Sequence, residues 1–194
     1  GSTCAMLEAI LERAGYRVGC YTSPHLVRYN ERVRVGRREA QDAELVAALR
    51  AVEMARAGTA LTYFEYGTLA AMWLFARCGV DVAVLEVGLG GRLDAVNAFD
   101  ADAAVLTSID LDHMDYLGDT REAIGREKAG VFRAGRPAVV AERDLPATVA
   151  SEAQRVGARL IAIGRDGVPV FAWNSGGLKR AAAGSHLAPM AAIG

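Results

Sequence analysis

The 194 residues are 52% hydrophobic, enough to bury one sizeable core. Lys and Arg (22) balance Asp and Glu (23) at a net charge of −1, which excludes a basic stripe for nucleic acid and an acidic disordered tail, so the expected partner is a small molecule. Cys4, Cys20 and Cys78 form no CxxC pair, which argues against a disulfide framework and a structural zinc site and for a cytoplasmic protein, and no apolar run reaches 18 residues, so no membrane span is expected; a monomer is expected as well.

In chain order, Met6, Leu7, Ile10, Leu11 and Ala14 recur at helical spacing. Ser2 or Thr3 is placed to cap the start and Gly15 to end it, which predicts a helix opening almost at residue 1. "YRVGCY" (16–21) reads as a strand. "DAELVAALRAVEMAR" (42–56) predicts a helix with Leu45, Val46, Leu49 and Val52 on one face, and "YFEYGTLAAMWLFARCG" (63–79) a second, mostly buried one. "DVAVLEVG" (81–88) and "DAAVLTSI" (102–109) are short, β-branched and apolar, as strands covered on both faces of a parallel sheet are. "TREAIGREKAGVF", "RPAVVA", "LPATVASEAQRVG" and "RLIAIG" carry the alternation to residue 164, with a helix at 121–131. The expected fold class is α/β, doubly wound, a mostly parallel sheet flanked by helices. Residues 1–172 are expected to form one domain. From 173 to 194 Gly, Ala and Ser dominate and periodicity fades, so an irregular tail or truncated element is expected there.

Ligands of such sheets bind beyond the carboxyl ends of the strands. Three loops leave those ends: "YTSPH" (21–25), "EVGLGGRLDAVN" (86–97) and "TSIDLDHMD" (107–115). They offer the Ser23 hydroxyl, the Glu86 carboxylate and the His113 imidazole, with glycines 88, 90 and 91 letting backbone approach closely. Two oxygens and one nitrogen leave positions for water and substrate phosphate, as Mg²⁺ requires, and the imidazole suits Mn²⁺ as well. Plainer readings compete. Ser23-Pro24 is also a turn signal, the Asp110–Asp115 cluster also reads as a solvated loop with a helix cap, and Lys128 also reads as a surface lysine paired with Glu127 or Glu122. "LEVGLGG" further resembles the nucleoside-binding loop of methyltransferases with Asp110 as the ribose acid, although Arg92 to Asp100 carries no helix for those glycines to open. Glu86 is the hardest to dismiss, because a carboxylate closing an apolar strand is costly to bury unpaired.

"YTSPHLVRYNERVRV" (21–35), "LTYFEYGTLAAMWLF" (61–75), "LEVGLGGRLDAVN" (85–97), "TSIDLDHMDYLG" (107–118) and "IGREKAGVFR" (124–133) occur in this order and spacing. Together they resemble the folylpolyglutamate synthase and dihydrofolate synthase family, the folate branch of the Mur ligases, in its bacterial bifunctional form. The likeness is continuous to about residue 141 and fades through 165. It implies the P-loop type ATPase domain central to Mur ligases, using ATP and Mg²⁺ or Mn²⁺. Ser23, Glu86 and His113 then hold the metal. Lys128 is the family's carbamylated lysine, and with His113 it is placed at the catalytic centre. Gly1 and Ser2 either end the phosphate loop GTNGKG[ST] or replace it. Thr62, Tyr63, Phe64 and Glu65, with Leu93, Asp94 and Ala95, line the pterin pocket, where Asp94 accepts hydrogen bonds from the ring.

The implied reaction joins L-glutamate to dihydropteroate, or to the glutamate tail of a reduced folate, through an acyl phosphate. The resemblance further implies a chain incomplete at both ends, without the loop lysine or the C-terminal domain, and inactive as it stands. A metal-dependent phosphohydrolase and a nucleotide- or pterin-binding module are the alternatives.

Overall fold

Helix α1 (Ser2–Arg13) opens the chain in the computed structural model, with Gly1 at its N-cap. The cap expected from Ser2 or Thr3 is absent: no side chain closes this end, and Ser2 already lies inside the helix. The structure describes residues 1–110, 117–142, 144–163, 169–174 and 177–180. It divides into two units, Gly1–Asp100 and Ala101–Gly194.

In the first unit, Cys4, Leu7 and Leu11 of α1 pack on Val18, Cys20 and Val84, while Met6 (58% exposed) and Ile10 (63%) face away. A helix resting on a sheet touches it along one stripe, and positions 4, 7 and 11 share that stripe. Strand β1 (Val18–Tyr21) is buried along its whole length and lies inside a sheet of order β3-β2-β1-β4. Strands β2 (Val33–Val35) and β3 (Arg38–Glu39) form a hairpin that hydrophobic periodicity did not reveal. Its two-residue turn places Gly36 (φ 58°) and Arg37 (φ 61°) in the left-handed region, the backbone of the primed turn that matches strand twist. Arginine at the second position hides the signal that Asn-Gly or Gly-Gly normally gives.

From the hairpin the chain passes through α2 (Asp42–Ala55) and α3 (Tyr63–Cys78) before β4 (Val82–Leu85) pairs parallel to β1, Val18 with Val82 through Tyr21 with Leu85. Thr62 and Glu65 close the start of α3 reciprocally: the Thr62 hydroxyl accepts the Glu65 N–H and the Glu65 carboxylate accepts the Thr62 N–H. Gly79, left-handed at φ 60°, ends the helix. Gly19 lets α3 settle on β1, since a Cβ there would stand 2.7 Å from the Phe75 ring. Tyr21, Leu45, Ala48, Leu74 and Phe75 belong to the core between these helices and the sheet. The expected strand 81–88 stops at Leu85, so Glu86 and Gly88 belong to the loop that follows. Of the strand residues, Val84 is buried and Ala83 is exposed, so cover on both faces is not met here.

The second unit carries β5 (Ala104–Leu106), β6 (Pro137–Val140) and β7 (Arg159–Ile163) as parallel neighbours. Helices α4 (Arg121–Ala129) and α5 (Ala147–Val156) bury Ile124, Ala129, Val149 and Ala153 with Leu106, Val140 and Leu160. At Gly125 the two helices approach so closely that a Cβ would meet Val149 at 2.9 Å. Strands β8 (Pro169–Asn174) and β9 (Gly177–Arg180) extend the sheet antiparallel. The irregular stretch expected from 173 therefore contains a strand at Gly177–Arg180. Four residues are too few to show a period, and backbone pairing with β8 rather than side-chain pattern defines it. The α/β layering agrees with the sequence, with parallel and antiparallel ladders in both sheets.

Candidate functional site

Three segments of the first unit meet at one carboxylate. Glu86 follows β4, and its own N–H still donates to Tyr21 O at 2.9 Å, so the ladder with β1 carries the side chain to the sheet's carboxyl edge. There its Oε2 accepts the Ser23 N–H at 3.0 Å, and its Oε1 faces the Gly1 amino group at the start of α1. The sequence-selected residues Gly1, Ser23 and Glu86 are thus brought together. The Glu86 side chain is 22% exposed. An oxygen-donor corner at the carboxyl edge of a sheet suits a hard divalent ion.

Beside this corner lies a cavity of about 380 Å³ lined by Ser23, Pro24, Arg32, Tyr63, Phe64, Gly88, Leu89 and Asp94. A second, of about 300 Å³, shares Tyr63 and adds Tyr29, Leu49, Leu61, Thr62, Tyr66 and Gly67. The expected pterin residues divide accordingly. Tyr63, Phe64 and Asp94 line the first cavity and Thr62 the second. Glu65 is engaged in the α3 cap, and Leu93 (82% exposed) and Ala95 line neither. Asp94 also departs from the simple expectation that it accepts two ring N–H groups. Its Oδ2 takes the Gly88 and Leu89 N–H groups at 3.1 and 3.0 Å, and its Oδ1 takes the Val96 N–H at 2.9 Å. A carboxylate offers about four acceptor sites, so about one remains for a ligand.

Arg32 is the functional candidate that sequence reasoning missed. It is 9% exposed, its Nε donates to His25 Nδ1 at 2.8 Å, and its guanidinium lies 5.6 Å from the centroids of both the Tyr29 and Tyr63 rings. Arg32 ends a short 3₁₀ turn (Tyr29–Arg32), where neither helical nor strand periodicity applies, so its burial left no pattern to read. Nearby, the fully buried Tyr21 hydroxyl has no hydrogen-bond partner among the described residues. Burial raises its pKa; the Thr68 hydroxyl and the Arg32 guanidinium partly offset this without completing a bond to it. Burial likewise pushes the Tyr29 phenol up to about 12.

In the second unit, the backbone of Ile109 is held from both sides: its N–H donates to Glu142 Oε2 at 3.0 Å and its carbonyl accepts from Arg121 Nε at 3.0 Å. Arg121 is in turn paired with Asp144 at 2.8 Å. This fixes the point at which the "DLDHMD" segment departs; His113 itself, with Asp112 and Asp115, lies outside the described residues. Lys128 sits half-buried on α4. Its proposed surface partner Glu122 is turned elsewhere, accepting the N–H groups of Ala147 and Thr148 at 3.0 and 2.9 Å and so capping α5. Among the described residues no three His, Cys, Asp or Glu side chains gather into a metal-binding group.

The sequence matches the Mur ligase middle domain over residues 2–188. It is 59% identical over 160 residues to the dihydrofolate synthase/folylpolyglutamate synthase of Escherichia coli, covering 82% of this chain and 38% of that protein. The enzyme of the same name from Haemophilus influenzae is 51% identical over 156 residues, covering 80% and 36%. Among solved structures, E. coli FolC in complex with DHPP and ADP superposes with a TM-score of 0.83 at 58% identity, covering 84% of this chain and 39% of that one. The bifunctional enzyme of Yersinia pestis complexed with AMPPNP and Mn gives 0.81 at 56% identity, covering 84% and 40%. The chain thus spans well under half the length of these relatives. With the matched domain covering nearly the whole sequence and the α/β layering in agreement, the chain belongs to the Mur ligase family.

Proposed function

We propose that this chain is the nucleotide- and pterin-binding part of an ATP-dependent ligase that joins L-glutamate to dihydropteroate, to the glutamate tail of a reduced folate, or to both. The observation that carries this reading is the convergence of Ser23 and Glu86 on one edge of the sheet, beside an aromatic cavity. The names of the curated relatives support the same activity. The monomeric state and cytoplasmic location expected from the sequence belong to this proposal too.

Glu86 and Ser23 supply oxygen donors that fit Mg²⁺ or Mn²⁺, with His113 as the third ligand in this reading. A divalent ion there neutralises phosphate charge. Gly1 and Ser2 present helix N–H groups to the phosphates of ATP. Tyr63 and Phe64 offer ring faces to a flat pterin, and Asp94 offers it one acceptor position. Lys128, half-buried and without an ion pair among the described residues, is assigned the carbamate role: as an anion it adds to the negative surroundings a metal needs. Catalysis is then positioning and charge neutralisation. The substrate carboxylate attacks the γ-phosphorus of ATP and releases ADP, and the amine of glutamate then displaces phosphate from the resulting acyl phosphate to form the amide.

The test is incubation of the chain with ATP, Mg²⁺, dihydropteroate and L-glutamate, together with calorimetric titration of ADP and dihydropteroate. A new amide product, or metal-dependent ADP binding joined with dihydropteroate binding, supports the reading. Phosphate release that needs neither folate nor glutamate replaces it with phosphohydrolysis, and binding of neither ligand ends it.

A further inference from the structure

We propose that Arg32 is the anion-binding side chain of the cavity and holds the carboxylate of the aromatic acid substrate. The assignment rests on the pterin reading above and adds to it a specificity residue for the acid group.

Arg32 carries a permanent charge, is nine-tenths buried, and forms no ion pair among the described residues. Its Nε–H is engaged by His25, and its guanidinium lies near enough to the Tyr21 hydroxyl to offset part of the rise in that phenol's pKa, while neither terminal nitrogen completes a hydrogen bond to a described residue. The tyrosine rings at 5.6 Å on Tyr29 and Tyr63 compensate the desolvated charge in part, because a ring face attracts a cation but does not neutralise it. The carboxylate among the cavity's lining residues, Asp94, has three backbone N–H groups on its oxygens and no ion pair with Arg32. Glu31, adjacent in sequence, is likewise turned away, accepting the N–H groups of Leu26, Val27 and Arg28 at 2.8, 2.8 and 2.6 Å. A largely buried arginine without a carboxylate partner among the described residues is well placed to take an incoming oxyanion.

The geometry favours a carboxylate. A planar guanidinium with two free nitrogens matches a planar, singly charged carboxylate in the bidentate manner, and one cation in an aromatic cavity does not balance a phosphate dianion. The side chain is also held ready. His25 fixes Nε, and the His25, Tyr29 and Tyr63 rings pack edge to face at centroid distances of 5.9 and 6.0 Å, so little rotamer freedom is lost when the anion arrives. A flat heteroaromatic carrying one carboxylate is therefore the ligand class that uses both the rings and the charge.

The experiment titrates three probes into the 194-residue chain: 7,8-dihydropteroate, its carboxamide, and 6-hydroxymethyl-7,8-dihydropterin, which lacks the acid arm. The native chain is expected to prefer the acid to the carboxamide about tenfold or more, as loss of a charge-assisted fork implies. In Arg32→Gln that preference disappears while hydroxymethyl-dihydropterin binds within about twofold of native. Arg32→Lys, which keeps the charge without the fork, lies between the two and carries the test if the glutamine variant does not fold. An undiminished acid preference in Arg32→Gln or Arg32→Lys overturns the assignment. Equal binding of all three probes by the native chain overturns it while leaving the pterin reading intact, and binding of none overturns both.

Discussion

Glu86 accepts the backbone N–H of Ser23 at 3.0 Å across the parallel pair β1 and β4, so a single carboxylate fixes the loop after one strand to the end of its neighbour. Replacement by Gln keeps an acceptor for Ser23 and removes the charge. The exchange of a charge-assisted bond for a neutral one costs about 1 kcal/mol of stability. Affinity for a divalent ion in the presence of ATP is expected to fall tenfold or more. Mn²⁺ binding followed by electron paramagnetic resonance, beside a thermal melt, checks both numbers; unchanged Mn²⁺ affinity removes Glu86 from the metal site.

The buried partner of the same region is Glu8. Its carboxylate, 5% exposed, takes Arg34 through Nε and Nη2 at 2.9 to 3.3 Å, and Arg34 also reaches Cys20 Sγ at 3.2 Å and Glu31 O at 3.1 Å. This ties α1 to β1 and β2. Arg34→Met leaves a carboxylate buried without its cation and is expected to destabilise by about 3–5 kcal/mol, whereas Glu8→Leu with Arg34→Met restores most of that, since two matched apolar groups need no counter-charge. Urea unfolding of the three variants measures the coupling. A double variant as unstable as the single one contradicts this account.

What was legible in the sequence and what was not divides along physical lines. Helix α3 was legible as a long apolar segment, whereas the cap that Thr62 and Glu65 form at its start went unread. Glu86 stood out because a carboxylate ends an apolar run. The β2–β3 hairpin was invisible because Arg37 occupies a left-handed turn position that usually belongs to Gly or Asn. Arg32 was invisible because its burial comes from contacts with His25, Tyr29 and Tyr63 that no periodic pattern encodes. Glu65 shows the reverse case: the side chain selected for a ligand is engaged by the helix cap. Glu122 likewise spans two helices rather than pairing with Lys128, a tertiary choice that spacing on one helix cannot express.

The Glu31 carboxylate gathers the N–H groups of Leu26, Arg28 and Val27, and these bonds lower its pKa from 4.5 to about 2. A depressed acid stabilises the folded loop above its unfolded pKa, and the contribution is lost as pH falls through the folded one. The loop at 26–28 is therefore expected to hold from neutral pH to about 4.5 and to loosen progressively toward about pH 2. NMR titration of the Glu31 carboxyl, with hydrogen exchange of the three amides, reads this directly. Glu31→Gln should lose the acid dependence while leaving exchange elsewhere in the first unit unchanged. A Glu31 midpoint near 4.5 rules the arrangement out.

Gly88 and Phe64 together set the floor of the candidate pterin cavity. A Cβ at residue 88 would stand 2.6 Å from Phe64 Cζ and 2.9 Å from Cε1, closer than carbon atoms tolerate, so the ring must move. Phe64 and Gly88 both line the cavity, and the Gly88 backbone is anchored by its N–H to Asp94 at 3.1 Å, so the strain falls on the ring and not on the loop. Gly88→Ala is expected to cost about 1–3 kcal/mol through overpacking. It should also weaken dihydropteroate binding by about tenfold or more, because the displaced ring takes ligand space. Phe64→Leu alone should weaken binding by less, through lost ring contact. Combined with Gly88→Ala it should recover part of the loss, since the smaller side chain clears the new methyl. The double-mutant cycle, read by calorimetry for binding and by urea for stability, is expected to give a coupling of about 0.5–3 kcal/mol, the range for residues in direct contact. Strictly additive effects would mean that the ring does not move against residue 88 and that the cavity floor is formed in some other way.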